Sequence, residues 1–138
     1  MTNHPKPLPV PDELSRAYWE GAREHRLMVQ RCASCARFVH HPKASCPFCG
    51  GRELRPTGVS GRGVVYAFTV CHYVGAPGFE QETPYAVVLV DLEEQAGLRV
   101  AGNLRGCPPA AVRVGMPVEA TFEEVAPGVV LPQFRALS

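Results

Sequence analysis

The sequence lacks the patterns by which membrane proteins and many enzyme classes are recognised. No stretch approaches about 20 consecutive apolar residues, so a membrane-spanning helix is not expected, and the N-terminus has no apolar region typical of a secretory signal. A glycine-rich phosphate loop, an HExxH zinc motif and a GxSxG nucleophile elbow are all missing from the sequence. We therefore expect a cytoplasmic protein that has no catalytic residues of its own.

A strong excess of charge of either sign is also missing. The chain of 138 residues has a formal net charge of +1, with 46% hydrophobic and 20% charged residues, which is typical of one globular domain or of a small domain plus a module. Residues 1–60 carry nine Lys/Arg against five Asp/Glu, and residues 61–138 carry five against eight. Neither part therefore predicts a strongly basic surface for nucleic acid.

A short helix is predicted after a proline-rich, extended segment over residues 1–10. Within residues 11–27, apolar or small side chains recur with a 3.6-residue period along one face: Leu14, Ala17, Tyr18, Gly21, Ala22 and His25. Pro11 suits the first turn of a helix, and Asp12 and Glu13 suit its positive dipole end. We therefore predict that the whole span is helical.

The pattern changes to that of strands from Gly61 onward. Turns rich in glycine and proline, such as Gly75–Gly78, separate five strand candidates over residues 64–74, 85–93, 98–104, 117–125 and 129–134. The second candidate is almost entirely apolar, which predicts a central strand. Five short strands predict a small closed or partly closed barrel of the OB type, with a sandwich as the alternative.

Four of the six cysteines form two CxxC pairs, Cys32/Cys35 and Cys46/Cys49, separated by ten residues. Two such loops can supply four thiolates about 2.3 Å from a tetrahedral zinc ion. Gly50 can adopt the positive φ that turns backbone N–H groups toward the sulfurs. Because protein ligands fill all four positions, the site is predicted to be closed and structural, with one zinc ion per chain.

Other interpretations of the cysteines stay open at this point. The four thiolates could instead hold iron, act as a redox dithiol pair or form disulfides, although a cytoplasmic chain keeps its thiols reduced. His40 or His41 could replace one cysteine as a ligand. Cys71 is interpreted as a small core residue, and Cys107 as incidental. Ala36 stands where a CxxC loop often has glycine, so a slightly different geometry is expected in the first loop.

The order of these features resembles a known family. The chain has a helix with Tyr18-Trp19, then Arg31-Cys32, two CxxC loops, the strand Gly61-Arg-Gly-Val-Val-Tyr66, Pro84-Tyr85 and a short barrel that ends near Phe134. Over almost its whole length it resembles the zinc-ribbon/OB-fold proteins associated with acyl-CoA enzymes, once named only as a domain of unknown function. Ala36 is the main departure from the pattern of that family.

The resemblance implies a mainly β fold in three segments: an extended segment and helix over residues 1–27, a rubredoxin-like four-cysteine zinc ribbon over 28–60 and a five-stranded OB-fold over 61–138. It also implies a role. Members of that family are small, non-catalytic partners of thiolase-fold enzymes, such as thiolases, acyltransferases and steroid side-chain aldolases, and help to bind or pass the acyl-CoA substrate. The chain is therefore predicted to be an accessory subunit for making or breaking carbon–carbon bonds in CoA thioesters.

Arg16, Trp19 and Arg23 are the candidate residues for contact with coenzyme A or with the partner. They recur at i, i+3 and i+7 on a helix face opposite the apolar one. Two cations around an exposed indole would suit the phosphates and the adenine of coenzyme A, or would anchor a partner protein. The simpler interpretation is that Arg16 pairs with Glu20, Arg23 is solvated and Trp19 covers a core edge.

Two other function classes are weighed against an accessory subunit. Zinc ribbons and OB barrels also bind single-stranded nucleic acid, for which they need outward aromatic side chains. However, residues 61–138 are net acidic, and Tyr66 and Phe68 are predicted to share a core-facing strand side with Val64 and Val70. An enzyme that acts alone on acyl-CoA substrates is the third alternative.

Overall fold

The computed structural model describes residues 7–73 and 82–137 and is mainly β, as predicted. Its elements in chain order are α1 (Arg16–Arg23), β1 (Leu27–Cys32), β2 (Phe38–Val39), β3 (Leu54–Val59), β4 (Arg62–Cys71), β5 (Tyr85–Leu92), β6 (Arg99–Arg105), a 3₁₀ turn (Pro109–Ala111), β7 (Pro117–Ala126) and β8 (Val129–Ala136). The predicted turn at Gly75–Gly78 and the last residue of the first strand candidate, Val74, lie outside the described residues. No helix in the described part of the chain has the length and apolar character needed to cross a membrane.

The helix is shorter than predicted, because the residues before and after it form hydrogen bonds of their own. The backbone N–H of Ser15 donates to Oδ1 of Asp12 (2.8 Å), and the backbone N–H of Asp12 donates to Oγ of Ser15 (3.0 Å). This reciprocal pair is a capping box, which marks the N-terminal end of the helical region at Asp12, ahead of α1. At the other end, His25 adopts a positive φ of 60°, and the N–H of Arg26 donates to the carbonyl of Gly21. α1 therefore keeps only the middle of the predicted span.

The predicted apolar face of α1 is buried only in part. Gly21 and Ala22 are buried, and a Cβ atom on Gly21 would lie 2.3 Å from a side-chain carbon of β1. Tyr18 packs against the main core. Leu14 and His25, which flank the observed helix, are both exposed. The close approach of α1 to β1 therefore depends on the missing side chain of Gly21.

The first three strands form an antiparallel sheet in the order β2-β1-β3. At its cysteine end the sheet has a small core of its own, in which Cys32, Val39 and Cys46 are buried. At its other end it joins the barrel, since Leu27 and Val29 of β1 belong to the main hydrophobic core. The ribbon and the barrel are therefore not independent packing units.

A side-chain amide also connects the ribbon to the barrel. Gln95, between β5 and β6, accepts a hydrogen bond from the backbone N–H of Phe38 (2.8 Å) and donates one to the carbonyl of Phe38 (2.9 Å). The amide thus pairs with the edge strand β2 as a peptide group of a neighbouring strand would. The β2 edge of this sheet is therefore covered by a residue of the barrel, Gln95.

The remaining five strands close into a barrel in the order β4-β5-β6-β8-β7. Alternate side chains fill its interior, as in β5, where Ala86, Val88, Val90 and Leu92 are all buried. Phe134 of β8 is fully buried among them. β5 pairs with both β4 and β6, as expected for a central strand. The closed order of five strands excludes the sandwich and confirms the predicted OB-type barrel.

Two glycines at the start of β4 allow neighbouring strands to approach closely. Gly61 has a positive φ of 80°, and a Cβ atom there would lie 2.8 Å from Cβ of Ala120 in β7. A Cβ atom on Gly63 would lie 2.1 Å from the carbonyl oxygen of Asp91 in β5. Neither position has room for a side chain, which is a physical reason for the Gly-Arg-Gly sequence at this point.

The prediction that Val64, Tyr66 and Phe68 face the core is wrong. These side chains are 41%, 47% and 39% exposed, whereas Val65 between them is 1% exposed and packs in the core. One reason is a β-bulge that follows Val65 and interrupts the alternation of sides along β4. The other is that β4 continues beyond its pairing with β7, so that Val70 near its end is only partly buried. Tyr66 and Phe68 are left exposed, Phe68 on the side of the strand that it shares with its buried partner Val88.

Candidate metal centre and helix pocket

The four cysteines of the two CxxC pairs come together at one end of the ribbon. Cys32 ends β1, Cys35 follows it before β2, and Cys46 and Cys49 lie between β2 and β3. Their four sulfurs lie within 4.8 Å of one another. The distance from Cys32 Sγ to Cys49 Sγ is 3.6 Å, and that from Cys35 Sγ to Cys46 Sγ is 3.7 Å. All are free thiols, so the disulfide alternative does not describe this structure.

This arrangement fits the ligand set of a tetrahedral zinc ion. Thiolates placed tetrahedrally at about 2.3 Å from zinc are about 3.8 Å from one another, which is close to the two sulfur–sulfur distances. Within the described residues, the cluster of potential ligands contains no histidine, so neither His40 nor His41 belongs to it. With four protein ligands, a bound ion would hold the two loops together and would leave no position for water or substrate.

Backbone N–H groups point at the sulfurs of the second loop, as predicted. Two of them lie 3.4 Å from Sγ of Cys46 and of Cys49. Gly50 makes this possible with a positive φ of 80°, and Ala36 adopts the same left-handed conformation in the first loop, with a φ of 66°. The expected difference between the loops is therefore wrong. An alanine holds this conformation at a cost of about 1–2 kcal/mol.

The same N–H groups favour the thiolate form that metals bind. The backbone N–H of Cys35 has the largest influence on Cys32 and lowers its pKa to about 6. Burial raises the pKa of Cys46, but two backbone N–H groups of its loop outweigh burial and leave this pKa lowered. The N–H of Gly51 likewise favours the thiolate of Cys49, yet the neighbouring sulfurs raise the pKa of Cys49 to about 11. Metal binding therefore has to displace the proton of Cys49.

A row of aromatic rings connects the ribbon with the helix. The ring centroids of Trp19 and Tyr18 are 4.9 Å apart, those of Tyr18 and His40 are 5.2 Å apart, and those of His40 and His41 are 4.6 Å apart. Burial raises the pKa of Tyr18 to about 12. Nδ1 of His40 is buried without a hydrogen-bond partner in the described structure. Burial, assisted by His41, lowers the pKa of His40 to about 4, so this ring is neutral at neutral pH.

We expect His40 to make the folded state less stable as the pH falls. The pKa of histidine in an unfolded chain is about 6.5, whereas that of folded His40 is about 4. Between these values the unfolded state binds more protons, so the stability is complete above pH 6.5 and decreases by about 2 kcal/mol by pH 4.5. Urea denaturation of wild type and His40→Phe between pH 7 and 4.5 measures this difference. Loss of the same stability in both proteins would contradict it.

Arg16, Trp19 and Arg23 line a single pocket of about 270 Å³ beside α1. Its other walls come from two prolines of the N-terminal segment, from Glu20 and from the turn between β7 and β8. Among the ion pairs of the described residues, the anticipated pair of Arg16 with Glu20 is missing, and neither guanidinium of the pocket has a carboxylate partner. The structure thus brings the three residues together, and their role in binding coenzyme A or a partner stays a prediction.

Several aromatic contacts were not predicted, and two of them connect the elements of the candidate sites. The tilted contact of the Tyr18 ring with that of His40 joins residues from different elements, and periodicity carries no signal for it. The guanidinium of Arg99 lies 3.7 Å from the ring centroid of Tyr66 and donates a hydrogen bond to Asp91 (2.8 Å). Asp91 is the only charged residue in β5, which is a signal for an outward-facing ion pair at this position.

Comparison with known proteins identifies two family models along the chain. The model described as "ChsH2, rubredoxin-like zinc ribbon domain" matches residues 19–55. The model described as "ChsH2, C-terminal OB-fold domain" matches residues 57–123. Together with the four clustered sulfurs, the first match confirms the prediction of a structural zinc site.

Several curated proteins are similar in sequence. The chain is 38% identical over 130 residues to a "Probable enoyl-CoA hydratase alpha subunit" of Thermomonospora curvata, which covers 94% of this chain and 40% of that protein. It is 39% identical over 108 residues to the "3-oxo-4,17-pregnadiene-20-carboxyl-CoA hydratase alpha subunit" of Mycobacterium tuberculosis, which covers 76% and 32%. The chain therefore spans less than half the length of these two relatives. It is also 32% identical over 116 residues to a "DUF35 domain-containing scaffold protein" of Methanocaldococcus jannaschii, which covers 83% and 80%.

Solved structures show the same fold. A chain in a structure named "Ltp2-ChsH2(DUF35) aldolase" superimposes with a TM-score of 0.84 at 38% identity, over 93% of this chain and 98% of that one. A protein of unknown function from the DUF35 family of Sulfolobus solfataricus superimposes with a TM-score of 0.62 over 91% of this chain and 86% of that one. The identity of the second pair is 13%, so this likeness concerns the fold alone.

Proposed function

Because this chain belongs to the DUF35 family of zinc-ribbon and OB-fold proteins, we propose that it is a non-catalytic accessory subunit of an enzyme complex that acts on acyl-CoA thioesters. The observation that carries the proposal is the match to 98% of a chain in the Ltp2-ChsH2(DUF35) aldolase. The relatives named as scaffold proteins and as hydratase alpha subunits support the same role.

The catalytic partner is proposed to be a thiolase-fold enzyme that makes or breaks a carbon–carbon bond next to the thioester. In this assignment the partner supplies the nucleophile and the general base. The zinc ribbon serves as a rigid support, since its metal position is closed by four thiolates. The accessory chain contributes a ligand surface and a docking surface, not a reacting group.

The pocket beside α1 is proposed to receive the nucleotide end of the acyl-CoA. Coenzyme A carries phosphates, which guanidinium groups bind through charge-assisted hydrogen bonds, and an adenine ring, which can stack on an aromatic side chain. Arg16 and Arg23 have no carboxylate partner within the described structure, and Trp19 lies between them on the same wall. The pocket therefore places two guanidinium groups and an indole ring, which complement the phosphates and the adenine of coenzyme A, on one face of α1.

Arg16→Ala/Arg23→Ala is expected to weaken the binding of coenzyme A at least about tenfold, because two charge-assisted contacts with phosphate are lost. Isothermal titration of coenzyme A into the wild type and the double variant measures the effect. Arg52→Ala/Arg113→Ala is the matched control, since it removes the same charge from exposed positions outside the pocket. Equal affinity of the wild type and the pocket variant would contradict the assignment of this ligand.

The role as an accessory subunit is tested by reconstitution. Tagged chain is purified from its native host, the enzyme that accompanies it is identified by mass spectrometry, and both are then produced separately. We expect no turnover of acyl-CoA by the chain alone and higher activity of the enzyme in its presence. Turnover by the chain alone, or the recovery of no acyl-CoA enzyme, would contradict the role.

A single-stranded nucleic-acid binder remains the second candidate function, because Tyr66 and Phe68 are exposed and available for stacking. The charges around them do not favour it. Four of the five arginines in residues 61–138 are in ion pairs with carboxylates: Arg62, Arg99, Arg105 and Arg135. A salt-dependent gel shift with short oligonucleotides separates the two functions, since the accessory role predicts no shift.

A further inference from the structure

β4 extends beyond the part of its outer edge that β7 covers. It pairs with β5 as far as Cys71, but with β7 only over Arg62–Val64, after which the backbone of Val65 bonds to Gly115 and Met116. In the described structure, no backbone partner other than β5 is found for residues 66–71. Within the described residues, this segment, called here the open edge, therefore has backbone groups that no neighbouring strand pairs.

Apart from the bulge at its first residue, the open edge lacks the side chains that normally prevent association of an exposed strand. Soluble proteins protect such strands with lysine, other charged residues or proline. Residues 64–73, with the sequence VVYAFTVCHY, contain no proline and no Asp, Glu, Lys or Arg. By contrast, the edge strand β3 of the ribbon carries Arg55 and Pro56. The composition of the open edge indicates that another polypeptide covers it.

We propose that the open edge is the docking site of the catalytic subunit, which adds an extended segment of its own to β4. The inference rests on the function proposed above and names the surface that performs it. In this mode, main-chain hydrogen bonds supply affinity, and alternating side chains supply specificity. The added segment carries apolar side chains, which pack on the exposed rings of Tyr66 and Phe68.

Two aromatic side chains are placed to act as anchors at the open edge. The ring of Tyr66 is held under the guanidinium of Arg99, which is itself fixed by its ion pair with Asp91. Phe68 is 39% exposed two residues further on, and Val114, beside the backbone that bonds to Val65, is 65% exposed. Rigid aromatic residues in a patch that becomes desolvated provide most of the energy of typical interfaces.

The charge at the start of the open edge favours a different protein over a second copy of this chain. Arg113 lies next to the exposed Val114 and forms no ion pair with a described carboxylate. A second copy paired edge to edge would present residues 64–73, which contain no acidic side chain. A catalytic subunit with a carboxylate at the end of its added segment would pair with Arg113 instead.

The test measures binding of the purified catalytic subunit, identified as described above, to variants of the open edge. Phe68→Lys and Thr69→Lys are each expected to weaken binding at least about 30-fold, because a desolvated lysine enters the interface. The matched control is Phe48→Lys, an aromatic residue of the ribbon that is 52% exposed, and it is expected to change binding less than twofold. Circular dichroism establishes that all variants are folded.

Hydrogen exchange provides a readout that does not depend on any variant. In the wild-type complex, amides within residues 66–71 are expected to exchange at least about tenfold more slowly than in the free chain, because they become hydrogen-bonded to the partner. Unchanged exchange in residues 66–71, or wild-type affinity of Phe68→Lys, would overturn the open edge as the docking site. If the complex is nevertheless active, the accessory role stands. If the wild-type chain is a dimer and Phe68→Lys is a monomer, a second copy of this chain covers the open edge, and the proposed docking of the catalytic subunit there is wrong. Failure to recover any acyl-CoA enzyme would instead remove the function on which it rests.

Discussion

Cys46→Ser is expected to yield a chain that binds no zinc and has no folded ribbon. Cys46 is 3% exposed, and its sulfur lies 3.7 Å from that of Cys35, so serine cannot replace it in a four-thiolate cage. Structural zinc in small modules contributes about 10–16 kcal/mol of apparent binding free energy at neutral pH. Since this exceeds the net stability of many domains, the ribbon is not expected to fold without the ion.

The loss of zinc is also expected to destabilise the barrel. Leu27 and Val29 lie on the same strand as Cys32, but they belong to the main hydrophobic core. Once the ribbon opens, β1 is no longer held at its cysteine end, and the thermal midpoint of the whole chain should fall by at least about 10 °C. A zinc chelator added to the wild type should reproduce this shift.

Two cysteines outside the cluster provide matched controls for this experiment. Cys71→Ser and Cys107→Ser should retain one zinc ion per chain by metal analysis, with thermal midpoints within a few degrees of the wild type, because neither residue lies in the group of four. Stoichiometric zinc in Cys46→Ser, or a wild type that contains no zinc, would contradict the structural role of the site.

Gly63→Ala is expected to lower the free energy of unfolding by about 3 kcal/mol, because the new methyl group has no space. Its Cβ would lie 2.1 Å from the carbonyl oxygen of Asp91 and 2.9 Å from Cγ1 of Val90. Both neighbours are in β5, which is held between β4 and β6, so relief requires separation of the central strands of the barrel. Urea denaturation monitored by circular dichroism measures the change.

Gly58→Ala is the appropriate comparison for Gly63→Ala. Gly58 also lies in a strand, but the atom nearest to the methyl group that alanine would add there is Sδ of Met28 at 3.6 Å, an ordinary contact. The control should leave the stability unchanged or raise it by up to about 1 kcal/mol, because alanine restricts the unfolded chain. If the two variants had similar free energies of unfolding, the strands around Gly63 would accommodate a methyl group without loss of stability, and the prediction would be wrong.

Much of the barrel could be predicted from the sequence, because glycine and proline mark the strand ends. β5, for example, was predicted over 85–93 and spans Tyr85–Leu92. The helix was overestimated, because its period extends through residues that form capping turns at its two ends. The exposed face of β4 could not be predicted, since a bulge changes which side chains face inward without leaving a mark in the composition.

The candidate sites also differ in how far the sequence predicts them. The cysteine spacing was sufficient for the zinc site, because a CxxC loop holds both of its ligands within a few residues. The grouping of Arg16, Trp19 and Arg23 followed from helix geometry, but the pocket also needs the β7–β8 turn, which only the tertiary fold brings near. The ring contact of His40 with Tyr18 also joins residues that are apart in sequence, 22 positions from each other.

The strand β1 has a consequence for the design of chimeras between relatives. Its first half fills the barrel with Leu27 and Val29, while its last residue, Cys32, holds the metal cluster. A ribbon transplanted with its entire first strand would bring foreign side chains into the recipient's interior. To keep the barrel core intact, the two sequences should be joined after Val29, within β1. The Gln95 side chain of the recipient must then form its two hydrogen bonds with the backbone of the residue at position 38 of the incoming ribbon.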